Sequence, residues 1–123
     1  MKQLVLVFIG GGFGSVLRFT ISKYVNDANT GIPYGTLLAN VLGSLLIGII
    51  LGLADKNHLI THNHTLLFAT GFCGGLTTFS TFAFENQVFL KTGDFLHFAI
   101  YTFTTFIIGF LAVFLGVFII KQI

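Results

Sequence analysis

The chain has 123 residues, of which 54% are hydrophobic and 8% charged, with 16 Phe, 15 Gly, one Pro and a formal net charge of +2. A soluble domain carries about 25% charged residues, so this composition excludes an ordinary water-soluble fold and indicates a single integral membrane domain. No basic run points to nucleic acid, and the lone Cys73 excludes an intrachain disulfide.

The first apolar segment covers residues 4–21. It follows one basic residue, Lys2, and lacks a small-residue cleavage pattern, so it is read as a retained span rather than a signal peptide. It contains Gly10-Gly11-Gly12-Phe13-Gly14-Ser15. A nucleotide-binding loop would need a preceding strand and a βαβ context, and neither is present. Gly10 and Gly14 instead have the small-xxx-small spacing that lets membrane helices approach closely. Arg18 has two readings. It snorkels or makes a structural hydrogen bond near the helix end, or it sits in a vestibule that attracts anions. A polar loop over residues 24–33 ends at Pro33, which breaks the chain before the second segment.

The second segment, residues 35–53, is long enough to cross a bilayer as a helix. Thr36, Asn40, Ser44, Gly48 and Gly52 recur every four residues and share one face, with Gly43 beside them. Asn40 on that face is either interhelical glue, worth on the order of 0.6–2 kcal/mol, or an amide donor to an anion. Residues 55–65 form the second loop, with His58, His62 and His64. No cysteine or carboxylate stands at ligand spacing, so these read as solvated histidines rather than metal ligands.

The third segment, residues 66–89, carries Gly71-Phe72-Cys73-Gly74-Gly75-Leu76-Thr77-Thr78-Phe79-Ser80-Thr81-Phe82. Glycine weakens a helix by about 1 kcal/mol relative to alanine, so the double glycine predicts a break. A helix broken at membrane depth persists only where the freed backbone is buried in protein or lines a cavity. Cys73 is read as a small buried hydrophobe. If the helix resumes near Phe79, then Phe79 and Phe82 share a face, Ser80 and Thr81 point elsewhere, and Glu85 follows within a turn. Lipid or core contact is the plain reading of the two phenylalanines; the break and the hydroxyls beside them are what set them apart.

A turn at residues 91–94 leads to the fourth segment, residues 95–120. Phe103, Phe106, Phe110, Phe114 and Phe118 form a lipid-facing stripe, and Tyr101, Thr105, Gly109, Ala112 and Gly116 the opposite, protein-facing one. With four spans, Lys2, Lys56 and Lys121 fall on one side of the membrane. Lys23, Lys91 and, if it reaches that interface, Arg18 fall on the other. Under the positive-inside rule so even a balance favours neither orientation, and a chain able to insert both ways forms an antiparallel dual-topology homodimer.

These motifs resemble the Fluc (CrcB-type) fluoride channels. The residues that carry the likeness are Gly10-x-Gly12-x-Gly14-x-x-x-Arg18, Gly35-Thr36-x-x-x-Asn40-x-x-Gly43 and, most specifically, the stretch from Gly71 to Phe82. The resemblance covers all four spans in order. It implies an all-α multi-pass protein of the inner (plasma) membrane, with the third helix broken and two fluoride pores along the subunit interfaces of an antiparallel dimer. It also implies a structural sodium ion, held by the backbone carbonyls of Gly74 and Thr77. Asn40, Phe79, Phe82, Tyr101 and Thr105 map to the family's pore, with Ser80, Thr81 and Thr36 as further hydroxyl donors. Glu85 maps to a pore-end carboxylate. Gly109 offers no hydroxyl, so the polar track stops at Thr105. No acid–base pair or nucleophile constellation suggests an enzyme. The runner-up is a proton-coupled exporter, which needs a membrane-buried carboxylate; Glu85 is its one candidate. A third possibility is a non-transporting assembly protein built on the small-residue stripes.

Overall fold

Leu, Ile, Val and Phe in runs unbroken by proline fold as helices wherever backbone polar groups must be satisfied within the segment. The structure, a computed structural model, describes residues 1–56 and 59–123, and among the described residues there is no strand. In chain order the elements are α1 (Lys2–Val25), α2 (Tyr34–Asp55), α3 (His62–Thr65), a π-helix (Leu66–Cys73), α4 (Gly74–Leu76), α5 (Phe79–Thr92) and α6 (Phe95–Gln122). Four helical runs are long and apolar enough to cross a membrane: α1, α2, the interrupted run His62–Thr92, and α6. The expected spans lie inside them. Polar residues such as Ser22 and Lys23 continue α1 past the apolar stretch, which hydropathy alone does not register.

Much of the apolar surface faces outward. Phe8 is 82% exposed, Phe13 69% and Phe114 71%, a surface suited to acyl chains rather than water. Inside, backbone meets backbone. A methyl group added at Gly10 would collide with Leu67 O and Phe72 N, and one added at Gly14 with Phe72 O and Leu76 N. The Gly10–Gly14 row therefore lays α1 directly on the π-helix and α4. On the other side, Gly48 lies against Val113 O, and Gly116 against Leu45 O and Ile49 N, which brings α2 onto α6. Lys56 Nζ donates to Ile120 O (3.0 Å), tying the second loop to the end of α6. The phenylalanine stripe of α6 is exposed, while Tyr101, Ala112 and Gly116 are buried.

The helix does not break at the double glycine. Gly74 keeps right-handed helical dihedrals (φ −61°, ψ −39°), and α4 continues to Leu76. The interruption falls at Thr77 (φ −85°, ψ 154°) and Thr78 (φ −150°, ψ 119°). Gly75 serves close packing instead: a methyl group there would collide with Gly11 O. The threonines carry the break because their hydroxyls compete with the helix for backbone groups. Thr77 N and Thr77 Oγ1 both donate to Cys73 O (3.0 and 2.9 Å), and Thr78 Oγ1 accepts from Thr81 N (3.2 Å) as the N-cap of α5.

His62 and His64 are exposed, as expected, but they sit in α3 rather than a loop, where Thr61 and His64 form a reciprocal cap. His58 lies outside the described residues. Among the described residues no group of His, Cys, Asp or Glu is placed to hold a metal.

Candidate functional site

The break at Thr77–Thr78 is held from two helices. From α2, Asn40 Oδ1 accepts from Thr78 N (2.6 Å) and Asn40 Nδ2 donates to Thr78 O (3.1 Å). The side-chain amide thus plays the part of a neighbouring strand to one extended residue. It also captures the amide that would otherwise continue the helix back to Gly74 O. From α1, Arg18 Nε donates to Gly75 O (3.0 Å). Thr78 Oγ1 in turn donates to Thr81 Oγ1 (3.2 Å) and lies 3.3 Å from Ser80 Oγ, so three hydroxyls cluster at the start of α5.

Beside the break lies a groove of about 390 Å³. Asn40, Gly74, Thr77, Phe79, Phe82 and Thr105 are among the residues that line it. Phe79 is 73% exposed and Phe82 6%, and their ring centroids are 5.9 Å apart. Phe82 presses further inward, edge-on to Phe106 (5.8 Å, 85°) and 5.2 Å from Tyr101. The Thr105 hydroxyl is buried and has no hydrogen-bond partner among the described residues.

One turn along α5 is a second cluster. Glu85 Oε2 accepts from Thr36 Oγ1 and Glu85 Oε1 from Tyr101 OH, each at 2.9 Å. Thr36 and Tyr101 are fully buried. Glu85 also lines a second cavity of about 450 Å³, bounded by Phe89 and by Asn26 and Asp27 of the first loop. The rings of Phe79, Phe82 and Tyr101 therefore run from the groove to the carboxylate, and Phe89 continues the series (6.1 Å from Tyr101) into the second cavity.

The sequence-predicted residues thus divide into three groups. Asn40, Phe79, Phe82, Thr105, Gly74 and Thr77 meet at the groove; the buried Thr36 and Tyr101 bond the half-buried Glu85; Ser80 and Thr81 gather around Thr78. Arg18 is joined to the backbone of the break. Two further positions matter that sequence reasoning does not single out. Thr78 is the cap on which the break turns, and the signal for it is a threonine placed three residues before another at a helix start. Asn86, 7% exposed, accepts from Thr102 Oγ1 (3.3 Å) and ties α5 to α6; nothing in the sequence pattern marks it.

Four helical runs long and apolar enough to cross a membrane define a multi-pass helical membrane protein. The profile described as CrcB-like protein, Camphor Resistance (CrcB), matches residues 5–117, and the chain belongs to that family. It is 41% identical over 123 residues to the fluoride-specific ion channel FluC of Gloeothece citriformis (strain PCC 7424), covering 99% of each chain. It is 44% identical over 119 residues to the protein of the same name from Phocaeicola vulgatus, covering 95% of this chain and 97% of the relative. A further FluC, from Serratia proteamaculans (strain 568), is 47% identical over 96 residues, covering 78% and 76%.

Proposed function

We propose that this protein is a fluoride-selective channel that lowers cytoplasmic fluoride by passive efflux across the inner (plasma) membrane. The observation that carries the reading is end-to-end similarity to relatives named as fluoride-specific ion channels. The geometry is in accord with it. Fluoride is small and strongly hydrated, and placing it unsolvated in a low-dielectric space costs on the order of tens of kcal/mol. A conducting path must therefore offer donors in close succession. Asn40 retains a second amide N–H beyond the one given to Thr78, and the Thr105 hydroxyl is uncommitted. The positive edges of Phe79 and Phe82 complete the wall of the groove. Ser80 and Thr81 extend the donor series, while Thr36 and Tyr101 give their hydroxyl protons to Glu85, which marks the end of the path.

In this reading the functional unit is an antiparallel dual-topology homodimer with two pores, and the break in each third helix lies at mid-membrane. A structural sodium ion fits the residues present, because the interruption frees backbone oxygens at Gly74 and Thr77, and hard cations favour oxygen ligands. Those carbonyls, from both copies, would hold the ion, and when bound it supplies a fixed positive charge.

The test is ion efflux from liposomes carrying the purified protein. Fluoride release that outruns chloride release by orders of magnitude is the expected result; no release, or equal release of both, overturns the reading. A proton-coupled exporter using Glu85 predicts instead that an imposed pH gradient shifts the reversal voltage at a fixed fluoride gradient.

A further inference from the structure

We infer that Arg18 is a positioning residue whose Nε–H fixes the carbonyl end of the interrupted helix, and that this bond rather than the guanidinium charge is its contribution to conduction. The inference rests on the fluoride-channel reading.

Gly10, Gly14 and Arg18 are spaced by four and follow one face of α1. The two glycines bring that face into backbone contact with the π-helix and α4, which leaves no latitude in the height of α1 against the break. One turn beyond Gly14, Arg18 reaches Gly75 O at 3.0 Å. It stands three residues before Ile21, the end of the apolar stretch, or about 4.5 Å in from that end at 1.5 Å per residue. A charged side chain inside a span takes a partner. Among the described residues the only ion pair is His97 with Asp94, so no carboxylate holds Arg18; the helix end does. The run from His62 to Leu76 finishes at the break with the negative end of its dipole and its last carbonyls unbonded within the helix. Cys73 O is taken by Thr77 and Gly75 O by Arg18. Gly74, between them in the chain, lines the groove. Fixing the carbonyls on both sides of Gly74 fixes the orientation of its own peptide.

The donor and the charge of Arg18 can be separated. In glutamine, Nε2 hangs from Cδ as Nε does in arginine, so Arg18→Gln keeps an N–H at the same reach without the charge. Arg18→Lys keeps the charge and places its donor one bond further out. Arg18→Met keeps neither. Fluoride and chloride efflux are measured in liposomes for all three, normalised to folded protein eluting at the wild-type position in size exclusion. The expected result is that Arg18→Gln holds within about threefold of wild type, while Arg18→Lys and Arg18→Met lose about tenfold or more, the size of one lost hydrogen bond to a charged group. The chloride-to-fluoride flux ratio should rise in the Lys and Met variants and hold in Gln. Arg18→Lys equal to or above Arg18→Gln would show that charge is the contribution and overturn the inference. A flux ratio that stays constant while rate falls would overturn it too, leaving only a fold contact. If Arg18→Met fails to fold, the Gln and Lys pair still decides. Absence of fluoride efflux in the wild type tells against the channel reading, not against this bond.

Discussion

Thr78 shows how one side chain can serve two elements at once. Its backbone is claimed by Asn40 and its hydroxyl caps α5. Thr78→Val keeps the shape and the backbone bonds to Asn40 but loses the cap, and should cost about 1 kcal/mol of stability, read as a lowered melting temperature in detergent. Thr78→Ser should restore it. The two phenylalanines separate stability from conduction. Phe79 is 73% exposed, so Phe79→Ile should leave melting nearly unchanged yet abolish fluoride resistance in cells whose own export is deleted. Phe82 is 6% exposed and packed on Tyr101 and Phe106, so Phe82→Ile should lower both melting and resistance. Unchanged resistance in both variants would favour a non-transporting assembly role. At this scale the sequence is legible by type but not by partner. Asn40 stays open between packing and ion contact because both draw on the same amide. The structure gives its carbonyl and one N–H to Thr78, and leaves the other N–H beside the groove.

At the scale of elements, the four apolar runs are readable because membrane spans must be helical and apolar for about 20 residues. The position of the interruption is not. Glycine weakens a helix wherever it stands, but the preference yields when contact with a neighbouring backbone requires its missing side chain, as Gly75 does against Gly11. Nor does composition indicate the π-helix at Leu66–Cys73, which packs against α1. The glycines of α1 provide a test. Gly12 has nothing within 4 Å of an added methyl group, whereas Gly14 faces the backbone of Phe72 and Leu76. Gly12→Ala should raise stability by up to about 1 kcal/mol through helix propensity. Gly14→Ala should sharply reduce the yield of monodisperse protein, because backbone cannot step aside. Equal behaviour of the two variants in size exclusion would contradict this packing of α1.

For the molecule as a whole, Lys2, Lys56 and Lys121 stand against Lys23 and Lys91, with Arg18 held at the break, and so small a difference predicts both orientations in one membrane. Labelling a single cysteine introduced at Lys2 from outside intact cells, in a Cys73→Ala background, should reach about half of the copies, as near-neutral topology signals imply. Labelling of all copies or of none would exclude antiparallel pairing. The family is legible because its motifs run through every span, whereas the proposed pairing of two copies has only a near-even charge count in the sequence behind it.

The groove beside the break is open on one flank, where Gly74 and Phe79 are exposed. Freed peptide oxygens abutting hydrocarbon cost several kcal/mol apiece, so a solitary copy is a poor solute for its own bilayer. If the proposed second copy covers that flank, folding and pairing become one equilibrium governed by mass action. Thinning the protein in lipid should lower its apparent melting point, and crowding it should raise that point, with no change in the sequence at all.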